Sequence, residues 1–369
     1  MKLLVERDLL AQVLKSVSRV ADKRGNIPIL SNALLRAEGE MLTVTATNLE
    51  MMAGNAVYAD ISTPGATTVP LALLETIVNR LPSGAQIGMD CDGSAMTLSA
   101  GRSRSRLQTL PAVDFPDFSA SADGHSFAVP AATMERLINA TRFAISAEET
   151  RYYLCGMYFA PHTHDGARRL CAVATDGHRL SRIFAPLPAG AEHMIGVIIP
   201  TALVDEIARM AKDASGDLFF DVSTSAMRVR HGSADLIGKL IDGTFPDWER
   251  ITPSSRPKNA RFDAADLAAA VTRASAVLDS KSGAAKLSLA PGEITVTTSG
   301  PSGEISEAVD VNYDGDGTSI IFASRYISTA LDALGSGEIV LGVDGPDDPA
   351  LVTRPDDPEH VVLIMPRRM

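Results

Sequence analysis

Leu10-Ala11-Gln12-Val13-Leu14-Lys15-Ser16-Val17-Ser18-Arg19-Val20-Ala21 carries apolar side chains at 10, 13, 14, 17 and 21. That is the i, i+3, i+4, i+7 spacing of a helix with one buried face. The stripe returns at Met134, Leu137, Ile138, Thr141 and Ile145, and again at Leu267, Ala270, Val271, Ala274 and Leu278. The starts at 10, 134 and 267 are 124 and 133 residues apart, far more than one helix spans, so the repeating unit is a whole domain.

Working outward, a second helix follows in each repeat. Val69-Pro70 precedes Leu74, Ile77, Val78 and Leu81, and Ile199-Pro200 precedes Val204, Ile207, Ala208 and Ala211. Proline suits a helix start, where its missing N–H is not needed. In the third repeat Ala323-Ser324 opens a helix with Ile327, Ala330, Leu331 and Leu334, and Ser324 is the expected cap. Phe115-Pro116-Asp117-Phe118 also returns as Phe245-Pro246-Asp247-Trp248. Between the helices lie β-branched, alternating runs such as 41–46, 95–98, 226–230, 294–297 and 339–341. The fold class is α+β: three repeated domains, 1–120, 121–250 and 251–369, each with two helices packed on antiparallel sheets.

The 45 acidic residues outnumber the 34 basic ones for a net charge of −11, which by itself argues against nucleic acid. Net charge does not say where the charges sit. Cys91, Cys155 and Cys171 are too few and too scattered for a disulfide framework or a zinc site and read as buried thiols of a reducing compartment. The charged start Met1-Lys2-Leu3-Leu4-Val5-Glu6-Arg7-Asp8 is no signal peptide. No run approaches the ~18–20 apolar residues of a membrane span. The expectation is a cytoplasmic protein without membrane partners.

Candidate chemistry is sparse. His162-Thr163-His164-Asp165, between Pro161 and Gly166, reads as a hairpin turn rather than a metal site. Asp176 and His178 form a possible acid/base pair with no nucleophile to complete a triad. Asp314-Gly315-Asp316-Gly317 and Asp344-Gly345-Pro346-Asp347-Asp348 read as solvated turns, and no phosphate-cradling loop is present. The expectation is no catalytic residue, no metal and no cofactor. Ala174-Thr175-Asp176-Gly177-His178-Arg179-Leu180 is turn chemistry. The apolar strand 361–365 runs into Pro366, Arg367 and Arg368. Together they offer apolar side chains rimmed by positive charge, a setting for an extended peptide, although a plain turn and tail explain them too. Arg102, Arg104 and Arg106 share one face of a strand, either a solvated edge or half of an ionic contact with Glu304 and Glu307. The first helices of the repeats lean basic through Lys15, Arg19, Arg136, Arg142 and Arg273.

These motifs resemble the bacterial sliding clamp family, the beta subunit of DNA polymerase III, over the whole chain. Besides 174–180, the resemblance rests on Ile27-Pro28-Ile29-Leu30-Ser31-Asn32, Pro64-Gly65-Ala66-Thr67-Thr68-Val69-Pro70 and Arg151-Tyr152-Tyr153-Leu154. Asp242-Gly243-Thr244-Phe245-Pro246-Asp247 and the Met365-Pro366 ending complete it. It implies a head-to-tail homodimeric ring that encircles double-stranded DNA, tethers the polymerase and catalyses nothing. Implied partners are the polymerase III alpha subunit, the clamp loader delta subunit, other DNA polymerases and repair proteins, all through short hydrophobic motifs. The implied peptide pocket comprises Arg151, Tyr153, Leu154, Thr175, Gly177, His178, Arg179, Leu180, Pro246, Arg250, Ile251, Met365, Pro366, Arg367 and Arg368. In it, Leu180, Ile251 and Met365 are expected to supply the apolar filling. Lys23 and Arg24 match a DNA-contacting loop, which Arg19, Arg142 and Arg273 would extend. Leu107 faces Val277 and Leu278 across the implied dimer seam.

The chain departs from the family pattern in several places. Ser105 stands where the seam usually has an aromatic, which shifts weight onto Arg102, Arg104 and Arg106 against Glu304 and Glu307. The second-helix starts 71–73 and 201–203 lack basic residues, and Glu148 replaces a neutral DNA-facing residue, so DNA contact is expected to be weaker than usual. Arg367 replaces an apolar pocket residue, favouring peptides with acidic flanks. Two other classes remain open at this point: a hydrolase or metal enzyme using Asp176, His178 and His164, and a repeat-built scaffold that never meets DNA.

Overall fold

The computed structural model describes residues 1–22, 27–118, 124–278 and 283–367. Six α-helices occur among them: α1 (Arg7–Val17), α2 (Leu71–Arg80), α3 (Ala131–Thr141), α4 (Thr201–Asp213), α5 (Ala264–Ala274) and α6 (Ser324–Leu334). They are the two helices of each repeat; most stripe residues within them are buried, Ile77 and Ala208 are half-buried, and Leu71, Ala131, Leu203 and Tyr326 are buried besides. None of these helices is long and apolar enough to cross a membrane.

Local chemistry sets the helix starts. Glu6 accepts the N–H of Leu9 at 2.8 Å and Asp263 that of Ala265 at 2.8 Å, satisfying donors that the first turn leaves open. Pro70, Pro130 and Pro200 each end a strand immediately ahead of a helix. The expected Ser324 cap is not one. Ala323 occupies the cap position, and Ser324 is the first helical residue, buried, with its N–H bonded to Gly283. Ala21, Ile145 and Leu278 lie beyond the helix ends, the last two immediately after 3-10 segments.

The chain divides into two compact units. One comprises Met1–Val129 with Asp213–Leu240. It holds a five-stranded sheet in the order Asp60–Thr63, Lys2–Glu6, Gln86–Cys91, Ala95–Ala100, Ser103–Gln108. Its eight-stranded sheet joins His125–Pro130, Asp217–Val222, Ala226–His231 and Ala234–Lys239 to Met51–Tyr58, Met41–Thr47, Asn32–Glu38 and Gly65–Pro70. The junction pairs Asp235 with Gly54, so strands of the central repeat complete a sheet begun by the first.

The other unit comprises Pro130–Lys212 with Ile241–Met369. Its eight-stranded sheet runs Val197–Pro200, Gly156–His164, Ala167–Thr175, Arg179–Pro186, Asp357–Ile364, Ala350–Arg354, Glu338–Val343, Lys258–Asp263. Here the junction pairs Arg179 with Ile364 and Leu180 with Leu363. A four-stranded sheet runs Gly303–Asp310, Glu293–Gly300, Ala284–Ala290, Thr318–Ala323. The strand pairs in all four sheets are antiparallel.

Two strand readings change. His162 and His164 lie on the strand Gly156–His164, and the turn is confined to Asp165 and Gly166. Their rings share a face, as strand alternation requires, and both stack on Phe184 with centroids 5.7 and 4.3 Å away. Arg102 lies in the turn before Ser103–Gln108, so only Arg104 and Arg106 share that strand's face.

Candidate functional site

The strands Ala167–Thr175 and Arg179–Pro186 form a hairpin whose turn is held by its own side chains. Asp176 Oδ1 accepts the N–H of His178 at 2.9 Å and of Arg179 at 3.0 Å. Thr175 Oγ1 accepts the N–H of Gly177 at 3.1 Å and donates to the carbonyl of Arg179 at 2.8 Å. Gly177 has φ +86°, a conformation open chiefly to glycine. Asp176 therefore fixes a turn, and its second oxygen takes the Nε–H of Arg179 at 3.1 Å. Both Asp176 carboxylate oxygens are thus engaged within the turn. Among the described residues no group of three His, Cys, Asp or Glu side chains could hold a metal.

The last strand brings residues 365–367 to this turn. Because Asp357–Ile364 pairs with Arg179–Pro186, Met365 emerges beside His178, and its N–H donates to the His178 carbonyl at 2.8 Å. Two residues on, the N–H of Arg367 donates to Ile321 at 2.7 Å. The result is a cleft of about 260 Å³ lined by His178, Ala323, Arg325, Tyr326, Met365, Pro366 and Arg367. The His178 and Tyr326 rings stack at 6.3 Å. Arg179 braces the wall from behind: it donates to Thr329 Oγ1 at 2.6 Å, and its guanidinium carbon lies 4.8 Å from the Tyr326 ring and 5.2 Å from that of Phe143.

Of the sequence-predicted pocket residues, His178, Met365, Pro366 and Arg367 line this cleft directly. Thr175, Gly177 and Arg179 build its turn. Arg151 lies against Gly177, close enough that a Cβ there would come within 2.6 Å of its Nη1. Arg151 Nε also donates to Glu148 at 2.7 Å. Hydrogen bonds from Thr150 and then Arg151 hold the Glu148 carboxyl below its ordinary range. Leu154 is buried, and Tyr153 packs edge-on against Tyr152 at 5.7 Å. Pro246, Arg250 and Ile251 are exposed around the buried Trp248.

Leu180 corrects the expected filling. It is 2 % exposed, in a cluster with Trp248, Phe184, Val361 and Leu363, so it supports the site from beneath. Ile251 and Met365 remain open, 53 % and 40 % exposed. Arg368 lies outside the described residues. Arg325 and Tyr326 were missed because they sit in the first turn of α6, about 150 residues from the turn they face. The only sequence signal was an Arg-Tyr pair opening a helix.

Lys23 and Arg24 lie outside the described residues. Arg19 is exposed just beyond α1. Arg142 Nε pairs with Asp205 at 2.7 Å, and Arg273 with Glu307 at 2.7 Å. The last pair joins a residue read as DNA-facing to one read as seam-facing, within one chain. Glu304 accepts from Ser299 at 2.9 Å, and Arg106 lies 3.6 Å from Asp92. Leu107 is buried, while Val277 and Leu278 are half-buried. Ser103–Gln108 and Gly303–Asp310 are the edge strands of their sheets.

Helix pairs repeated three times over antiparallel sheets, with a cationic cleft at the C-terminal run, define the DNA sliding-clamp class. Family models of the DNA polymerase III beta subunit match in three parts: N-terminal domain, residues 1–119; central domain, 128–247; C-terminal domain, 249–368. The beta sliding clamp of Caulobacter vibrioides is 39 % identical over 100 % of both chains, and that of Escherichia coli K12 35 % identical over 90 % of both. The crystal structure of the Caulobacter crescentus clamp matches at TM-score 0.95 with 39 % identity over 100 % of both chains. The Bartonella birtlesii clamp, bound to griselimycin, matches at 0.96 with 35 % identity over 100 % of both. The chain belongs to the DNA polymerase III beta subunit family and is a DNA polymerase processivity clamp.

Proposed function

We propose that two copies of this chain close head to tail into a ring around duplex DNA, in the cytoplasm, and that each chain tethers partners through its C-terminal cleft without catalysing a reaction. The domains divide near 120 and 250. The two edge strands support the ring reading. One carries Arg104 and Arg106 and the other Glu304, so a heterologous contact would pair opposite charges along open strand edges. A closed ring holds DNA by topology, so modest, salt-screened phosphate contacts from Arg19, Lys23, Arg24, Arg142 and Arg273 suffice despite the net charge of −11. Retention on a nicked circle, lost when the circle is linearised, tests this. Arg24→Ala should weaken retention at low salt without changing the dimer mass.

The observation that carries the tethering role is the bond from Met365 to His178, which forms the cleft's wall from the two motifs. Met365 among the cationic groups of the cleft, with Ile251 as a further exposed apolar side chain, suits a short segment of the Gln-Leu-x-Leu-Phe kind, with leucine and phenylalanine as anchors. The polymerase alpha subunit, the clamp loader delta subunit, other polymerases and repair proteins would compete for it. A fluorescent Gln-Leu-Ser-Leu-Phe peptide should bind at micromolar Kd, about −8 kcal/mol. Deleting residues 365–369 should abolish that binding while leaving the dimer intact. Full binding by the deleted protein would place the peptide elsewhere.

A further inference from the structure

We infer that Glu148 is a positioning residue for the cleft: it holds the Arg151 guanidinium over the Gly177 turn and so sets how firmly a peptide is gripped there. The inference rests on the peptide-cleft reading above and names a residue outside the cleft's own lining. The sequence places Glu148 as a DNA-facing departure, yet its carboxylate is engaged on the loop beside the turn. Oε2 accepts the Nε–H of Arg151 at 2.7 Å and also pairs with Nη2. Oε1 accepts the hydroxyl of Thr150 at 2.9 Å.

The loop fixes this brace from its backbone. The Glu148 N–H donates to the hydroxyl of the buried Ser146 at 3.1 Å, and the Glu148 carbonyl accepts the N–H of Arg151 at 3.0 Å. The N–H of Ser146 in turn donates to the carbonyl of Leu154 at 3.0 Å. With Nε and Nη2 held, Arg151 Nη1 lies 2.6 Å from the place a Cβ of residue 177 would take, room that only a glycine leaves. Gly177 directly precedes His178 of the cleft lining. A guanidinium carries five N–H donors in a rigid fork, so the Nη1 end is left facing the turn, where a peptide carbonyl can meet it. An arginine already ordered has less rotamer freedom to lose when a peptide binds. Hydrogen bonds from Thr150 and then Arg151 hold the Glu148 carboxyl below its ordinary range, which keeps the brace ionised at neutral pH.

The test uses the full-length dimer and the fluorescent Gln-Leu-Ser-Leu-Phe peptide. Glu148→Gln should weaken binding about threefold at low salt, the scale of one exposed ion pair, with the loss shrinking at high salt and the thermal melt unchanged. Glu148→Asp, which keeps the carboxylate, should recover most of that loss. In an Arg151→Ala protein, itself a weaker binder, Glu148→Gln should add nothing further, because the two residues act as one unit. Unchanged peptide binding by Glu148→Gln, with or without a gain in DNA retention, would overturn the inference and leave the peptide cleft standing. An equal loss from Glu148→Gln in the Arg151→Ala background would overturn it too. Failure of the peptide to bind the unmodified dimer would overturn the cleft reading itself.

Discussion

The backbone N–H of Met365 donates to the carbonyl of His178 across 2.8 Å. One hydrogen bond thus joins the C-terminal run to a turn about half the chain away, and the cleft exists only where the two meet. Substitutions that disturb either partner should act on binding before they act on folding.

Gly177 offers the sharpest case. Its φ of +86° strains any other residue, and a Cβ would lie 2.6 Å from Arg151 Nη1. Gly177→Ala should cost about 1–2 kcal/mol of stability and weaken peptide binding about tenfold by displacing Arg151 and the turn. Thermal melts and peptide titration on the same preparation measure both.

Leu180 and Ile251 should separate support from contact. Leu180→Ala empties a position that is 2 % exposed in an apolar cluster, and should cost about 2–5 kcal/mol in chemical denaturation. Ile251→Ala, at a position 53 % exposed, should leave stability within about 0.5 kcal/mol yet weaken peptide binding. Equal stability losses would mean that the two residues do not divide the work this way.

Glu307 should matter to DNA more than to the dimer. Its pair with Arg273, 2.7 Å apart, holds that arginine within the chain. Glu307→Gln releases the cation, so retention on circular DNA at low salt should rise. The dimer dissociation constant should change less than about fivefold, the scale of one exposed ion pair. Sedimentation and DNA-retention assays give the two readings. A collapse of the dimer would return Glu307 to the seam.

His360 predicts the pH dependence of stability. It is 3 % exposed, with Nε2 3.1 Å from Ser181 Oγ. The Ser181 hydroxyl proton goes to Ala140 at 2.6 Å, so Nε2 carries the hydrogen and donates. Burial lowers the His360 pKa from 6.5 to about 4. The unfolded chain therefore takes up the proton first, and stability present above pH 6.5 is lost as pH falls towards 4. The full loss is about 3 kcal/mol. Urea titrations from pH 7.5 to 4 should show this slope, and His360→Leu should flatten it.

Much was legible along the chain because helix stripes, strand alternation and turn chemistry are local. The spacing of Leu10, Val13, Leu14 and Val17 encodes a buried helix face wherever that helix packs, and the Thr175–Leu180 turn is built by its own side chains. Local pattern also misled. Ser324 has a cap's chemistry but lies one residue inside its helix, and Leu180 is apolar enough for a pocket wall but sits under it.

The sequence alone determined the repeat, the α+β class and the two motifs that meet at the cleft. The tertiary structure decided which strands share a sheet, pairing Asp235 with Gly54 and Arg179 with Ile364. It also placed Arg325 and Tyr326 across from His178 and joined Arg273 to Glu307. The physical reason is that a strand's alternation records which side chains face inward but not which distant backbone satisfies its hydrogen bonds. Those partners, and the cleft that depends on them, are settled only when the whole chain packs.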